Sequence, residues 1–376
     1  MSQGIVITGS GLYTPPHRIS NDELVNSFNT YVDNYNDEHK EEIEKGQLSL
    51  LEHSSASFIE KASGIKSRFV IDKAGILDPK RMRPFVPTRS DDVPSLQCEM
   101  ALHSIKQALE KAEKSPAQID GIIVSCSNVQ RSYPGMAMEI QHHLGSQGYG
   151  FDMNVACSSA TFAISTAHNA LLSNQNKCIA VVNPEISSGH INYRDRDSHF
   201  IFGDVSTALI LEQSTTAKKK GFEIVGIKLG TQFSNNIRNN SGFLNHAELE
   251  ANEAMVPTQY FKQNGRKVFK EVVPLVEAHI LAHLESLSLT PQAIKRYWLH
   301  QANINMNELI MKKILGKDAN QEQAPLILQE FANTASTGSI IAFHQHHHDF
   351  SPGELGLICS FGAGYSIGSI LVRKTL

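Results

Sequence analysis

The stretch GFDMNVACSSATFAISTAHNALL, residues 150–172, runs from an apolar strand end through a polar turn into an amphipathic helix. Ser158 and Ser159 suit the first turn of that helix, where backbone N–H groups need partners. Cys157 therefore stands at a strand-to-helix junction, where free N–H groups and the positive end of the helix dipole favour a thiolate. It is the candidate nucleophile. A lone cysteine is more often a small buried apolar residue, and this segment alone leaves both readings open. Cys98, Cys126, Cys178 and Cys359 fall inside helix or strand patterns, where core packing accounts for each.

Outward from this stretch, apolar runs of strand length alternate with helical ones. GIVITG (4–9), CEMALHSIKQALEKA (98–112), GIIVSCS (121–127), ATFAISTAHNALL (160–172) and CIAVVN (178–183) give an α/β protein with buried, mostly parallel strands. ALILEQ (208–213) closes a first half, residues 1–214, and the polar link STTAKKKG follows. A second half, residues 220–376, repeats the manner with FEIVGIKLG, a long helix from 268 to 287, YWLH, NMNELIMKKIL, LGLICSFG and SIGSILVRK. Two segments interrupt the alternation. NYNDEHKEEIEKGQL (34–48) is a charged stretch suited to a solvated helix, and DPKRMRPFVPTRSDDVP (78–94) is a Pro- and Arg-rich loop.

The second half supplies two polar candidates. KRYWLHQANINMNEL (295–309) sets His300 at the end of a short apolar strand, and EFANTASTGSIIAF (330–343) sets Asn333 in a turn before a helix of small residues. A base at a strand end and an amide at a helix start suit groups that converge on one pocket. A single histidine is more often structural, so the residues alone again leave the role open.

Bulk properties narrow the class. A chain of 376 residues with 41% hydrophobic residues buries one large core or two medium ones. The net charge of −4, from 34 basic and 38 acidic residues mixed along the chain, offers no broad cationic face, so neither nucleic acid nor membrane is an expected partner. The N-terminus lacks the pattern of an export signal, and no run approaches the ~18 apolar residues that cross a bilayer. A cytoplasmic location is the expectation, with five reduced thiols and no CxxC spacing for zinc. The run FHQHHHDF (343–350) reads as a solvated helix face rather than a metal site. ITGSGLYTPP runs into prolines and not into a helix, so it is no dinucleotide fingerprint. IFGDVSTA reads as a structural turn beneath the catalytic floor.

Nine blocks in order resemble the β-ketoacyl-[acyl-carrier-protein] synthase III family of the thiolase superfamily. They are ITGSGLYTPP, ASGIKSR, Cys98–Ser127, DMNVACSSATFAI, FIFGDVSTALIL, NGRKVFKEVVP, WLHQAN, ANTASTGSI and FGAGYSIGSILVR. The resemblance implies a five-layered αβαβα fold of two related halves, a homodimer, and no metal or bound cofactor. It implies that an acyl group passes from a thioester to Cys157, after which a malonyl acyl carrier protein loses carbon dioxide and attacks the acyl-enzyme. His300 and Asn333 would stabilise the enolate oxygen, and backbone N–H groups of Cys157 and Ala363 would form a second oxyanion hole. Ala363 stands where the family usually has glycine.

Substrate contacts carry over less completely. Arg196 and Asn303 match the family's coenzyme A contacts, whereas Phe58 replaces a stacking tryptophan and Ala62 and Asn305 replace arginines. That grip is partly dismantled, which favours a carrier protein as primer donor, with Arg196, Arg81, Arg83 and Arg89 as docking charges. Tyr133, before the proline in QRSYPGM, matches a residue that crosses the dimer interface and closes the partner's acyl pocket. The rival readings are a specialised ketosynthase of the alkylresorcinol, aryl polyene, quinolone or olefin type, and a non-catalytic partner subunit. Retention of Cys157, His300 and Asn333 argues against the second.

Overall fold

The computed structural model describes residues 4–242, 244–245 and 259–375. Nine strands form its main sheet: β1 Ile5–Tyr13, β2 Gly121–Ser125, β3 Tyr149–Met153, β4 Cys178–Ile186, β5 Asp204–Gln213, β6 Phe222–Ser234, β7 Ile294–Leu299, β8 Leu355–Gly362 and β9 Gly364–Lys374. Their order across the sheet is β7-β8-β9-β6-β1-β5-β4-β2-β3. In the first block β3, β2 and β4 are parallel, and β4, β5 and β1 pair antiparallel. In the second, β7 and β8 are parallel, and β8, β9 and β6 pair antiparallel. Each block thus begins with the strand at its inner edge and repeats one pairing pattern, and the two are paired within the sheet through Val6↔Glu223 and Ile7↔Phe222.

The principal helices are α1 Leu96–Ala112, α2 Met136–Leu144, α3 Ser159–Leu172, α4 Gly265–Ser286, α5 Ile304–Leu315 and α6 Gly338–Gln345. Ile105, Leu109 and Ile140 of α1 and α2 cover one face of the first block, and Val276, Ile280 and Ile310 of α4 and α5 cover the second. Between the blocks lie α3 and α6, whose Ala163, Ile164, Ala167 and Ile340 pack against Leu209 and Leu211 on one side and Trp298 and Ile358 on the other. Small residues on α3 let the two blocks of the sheet close on one helix layer. The result is five layers, αβαβα, the thiolase-like architecture. Trp298 is fully buried and ringed by Phe222, Phe343 and Phe350; truncating such a side chain to alanine costs about 3–5 kcal/mol.

Three readings change. The strands are not mostly parallel: five of the eight neighbouring pairings in the main sheet are antiparallel, because each block returns to its inner edge through antiparallel strands. The first strand does not stop at Gly9 but runs to Tyr13, because its glycines admit the backbone of α1: a Cβ on Gly9 would meet the Ala108 carbonyl at 2.1 Å and one on Gly11 the Ser104 carbonyl at 1.9 Å. The histidine-rich run is not a solvated helix face. The helix ends at Gln345, His347 stacks on Phe343 at 4.8 Å, and the His344 ring bonds Ser10 Oγ at 3.0 Å.

The charged run from 34 falls in the end of helix Asn21–Glu38 and in the short helix Lys40–Glu44, which buries nothing. Residues 78–94 carry neither helix nor strand. Helices Asn21–Glu38 and Ala56–Ser63 pack Leu24, Phe28 and Ile59 over Phe200 and Phe202, which roofs the site described next. Among the described residues no helix is long and apolar enough to cross a membrane.

Candidate active site

Cys157 is presented by a strained turn. Strand β3 ends at Met153, the Asn154 Oδ1 accepts the N–H of Ala156 at 2.8 Å, and Ala156 takes a φ of +46°, a region non-glycine residues seldom occupy. A single 3-10 turn, Ala156–Ser158, leads into α3, with the Val155 N–H donating to Ser159 Oγ at 2.8 Å. Cys157 is half-buried, unlike the other four cysteines, which are buried. Its sulfur receives the N–H groups of Ala363 and of Cys157 itself. Burial first, and then the nearby Glu185 carboxylate, push its thiol up to about 12 against those two donors. Gly362 lies directly against it. Ala363 is not among the residues of positive φ, and Gly364 takes the φ of +130° instead, so an alanine fits where the family has glycine.

His300 follows the end of β7, with its N–H held by the Cys359 carbonyl at 2.8 Å and its carbonyl by the Asn307 amide at 2.9 Å. Its ring stands edge-on to Phe361. Burial lowers its pKa to about 4, opposed by a backbone hydrogen bond at Ala335, so the imidazole is neutral at pH 7 and carries a single N–H. Asn333 is fixed through both backbone groups, its N–H to the Ile201 carbonyl and its carbonyl to the Gly203 N–H, each at 3.0 Å. The IFGD turn thus supports Asn333, as its sequence suggested. The Asn333 Oδ1 accepts the Ala335 N–H at 2.9 Å, which leaves its NH2 end for a ligand.

Cys157, His300 and Asn333 line one cavity of about 610 Å³, together with Ala62, Phe200 and Asn303. A second cavity of about 760 Å³ also opens on Cys157 and runs past Ala363, Ser187 and Phe202. The nucleophile therefore sits where two chambers meet.

The other expected contacts are placed more loosely. The Arg196 guanidinium stacks over the Phe58 ring at 4.4 Å and its Nε donates to the His53 carbonyl at 2.8 Å. Asn303 caps α5 through Oδ1 and donates to the Ala62 carbonyl at 2.7 Å, leaving one amide hydrogen toward the cavity. Tyr133 is 85% exposed and lines neither cavity of its own chain. Arg89 is engaged by Glu99 at 2.6 Å, and Arg81 binds the Arg83 carbonyl.

Three residues at the site carry no role in the sequence reading: Gly362, Asn154 and Glu185. Asn154 has a signal that was there to find, because NVACSS and NTASTG share an N-x-A frame. Ala335 repeats the strain of Ala156 with a φ of +50°, and its N–H meets Asn333 as that of Ala156 meets Asn154. Ser336 is then the counterpart of Cys157 in the second block.

Five layers with a cysteine turn at the centre define a thiolase-like condensing fold. The family models of 3-oxoacyl-[acyl-carrier-protein (ACP)] synthase III and of its C-terminal part match residues 151–232 and 284–374. The chain is 56% identical over 351 residues to the β-ketodecanoyl-[acyl-carrier-protein] synthase of Pseudomonas aeruginosa, spanning 93% of this chain and 99% of that protein. It is 25% identical over 338 residues to the β-ketoacyl-[acyl-carrier-protein] synthase III of Bartonella bacilliformis, spanning 89% and 95%. The 3-oxoacyl-[acyl-carrier-protein] synthase III structure from Aquifex aeolicus superposes with a TM-score of 0.76 at 23% identity, over 98% of this chain and all of that one. The chain belongs to the 3-oxoacyl-[acyl-carrier-protein] synthase III family. It is a condensing enzyme, an acyltransferase of fatty-acid synthesis.

Proposed function

We propose that Cys157 carries the acyl group and that His300 and Asn333 serve the malonyl half-reaction. The observation that carries this reading is their shared cavity beside a nucleophile held between two N–H groups. The Cys157 sulfur attacks the thioester carbonyl while the N–H groups of Cys157 and Ala363 take the oxyanion, and its proton leaves with the departing thiol. A malonyl thioester then enters, loses carbon dioxide, and places its enolate oxygen between the neutral His300 N–H and the Asn333 NH2. The enolate carbon attacks the acyl carbonyl, the C–S bond to Cys157 breaks as the β-ketoacyl thioester departs, and the released thiolate takes a proton from water. Phe58, Arg196 and Asn303 edge the mouth through which the thioester arm enters.

The 56% identical Pseudomonas relative is named for a β-ketodecanoyl product. Carried to this chain, with two carbons from malonyl, that product requires an eight-carbon primer. The cavity of about 760 Å³, walled by Phe202, Phe261 and Ile237, suits such a chain. We read residues 1–214 and 220–376 as the two halves, the molecule as a cytoplasmic homodimer, and Tyr133 as a wall of the partner's acyl chamber. The test is condensation with malonyl carrier protein across acyl thioesters of two to fourteen carbons. The highest kcat/KM is expected at eight carbons. A maximum at acetyl would overturn the primer assignment.

A further inference from the structure

Glu185 is a carboxylate buried to 1% exposure at the end of β4, and burial raises its pKa. A buried carboxylate without a cation is costly unless hydrogen bonds replace its water. Four do so here. Ser127 donates its N–H to Oε1 at 2.8 Å and its hydroxyl to Oε2 at 2.6 Å, and Ser336 donates its N–H and its hydroxyl to Oε1 at 3.2 and 2.5 Å.

These donors belong to the two turns that build the site. The Ser127 carbonyl accepts from Asn154 Nδ2 at 2.7 Å, and Asn154 in turn holds Ala156, next to Cys157. Ser336 follows Ala335, whose N–H orients Asn333 and whose backbone meets the His300 ring. Hydrogen bonds through Asn154, Ser127 and Glu185 therefore link Ala156, the residue before Cys157, to Ser336, the residue after the Ala335 that holds Asn333. We propose that Glu185 is a positioning residue that clamps the turn carrying Asn333 to the loop supporting the nucleophile, and so sets the spacing between the enolate donors and Cys157. This rests on the roles given above to Cys157, His300 and Asn333.

The bonding pattern allows the clamp to be separated from the charge. In Glu185→Gln, a carbonyl at the Oε1 position accepts both N–H groups and the Ser336 hydroxyl, while the new NH2 donates to Ser127 Oγ, whose hydroxyl turns away. Glu185→Ala removes every bond. The experiment measures carbon dioxide release from malonyl carrier protein and, separately, acylation of Cys157, in both variants, in Ser336→Ala and in His300→Ala. Glu185→Ala is expected to lose about tenfold or more in decarboxylation and much less in acylation. Glu185→Gln is expected to restore decarboxylation to within a few-fold of the native rate. Ser336→Ala, which deletes one bond of the four, is expected to fall between them and tests the clamp if Glu185→Ala does not fold. Native decarboxylation in folded Glu185→Ala, or in Ser336→Ala if the former does not fold, or a glutamine variant as slow as the alanine one, would overturn the proposal. A His300→Ala enzyme that decarboxylates normally would instead strike at the assignment on which it rests.

Discussion

Gly362 and Cys157 are packed so closely that no side chain fits between them: a Cβ on Gly362 would lie 2.5 Å from the Cys157 Cβ and 2.9 Å from its sulfur. The glycine is needed for space, since its φ is not positive. Gly362→Ala is therefore expected to push the sulfur off the N–H groups of Cys157 and Ala363, and displacement on the order of 1 Å costs as much as a hundredfold. The acylation rate of Cys157 should drop by about tenfold or more while far-UV dichroism stays native. Acylation at the native rate would show that the contact is not limiting.

His300 and Asn333 are neutral donors, and their loss should fall on the step that builds enolate charge. His300→Ala and Asn333→Ala are each expected to slow decarboxylation by roughly a hundredfold or more, as for deletion of an oxyanion donor. Acyl transfer to Cys157 should suffer less, which single-turnover acylation would register. Equal losses in both half-reactions would contradict the division of labour.

Much of this site is legible in the sequence because its chemistry is local. VACSS, LHQAN and FANTAS each put a functional residue at the end of an apolar run, and the chain folds them as strand-to-turn junctions. Glu185 is not legible. PEISS looks like any strand end, and the carboxylate gains its meaning only from Ser127 and Ser336, which are 58 and 151 residues away. Gly9 and Gly11 mislead for a related reason: glycine normally weakens a strand, but here it is tertiary contact with α1 that requires it. The histidines near 346 mislead because polarity suggested solvent, whereas His347 stacks in an aromatic cluster.

Buried histidines also make the fold acid-sensitive. Burial is the first cause in lowering His199, His283, His300 and His347 to about 4 and His344 to about 3, from 6.5. Unfolded imidazoles take up protons near 6.5 while the folded ones do not, so their contribution is present above 6.5 and is lost as pH falls toward 4. Asp204, raised to about 6 by burial, and Glu185, also raised by burial, work in the opposite direction but are two groups against five. The thermal midpoint should decline steadily between pH 7 and pH 5. A midpoint at pH 5 equal to or above that at pH 7 would refute this.

Tyr133 extends from its own chain with 85% of its surface exposed, which suits a side chain that completes the pocket of a second copy. Tyr133→Ala is expected to shift the preferred primer to chains several carbons longer without changing the rate of malonyl decarboxylation. An unchanged chain-length profile would place the end of the pocket elsewhere.

The central claim is that Cys157 holds the acyl group between the two half-reactions. It is tested most directly by incubating the protein with an octanoyl thioester and no malonyl substrate, then weighing the intact chain and mapping its peptides. One octanoyl group should appear on Cys157, disappear when malonyl carrier protein is added, and be absent from Cys157→Ala. An adduct on any other residue, or one that malonyl carrier protein does not discharge, would contradict the account.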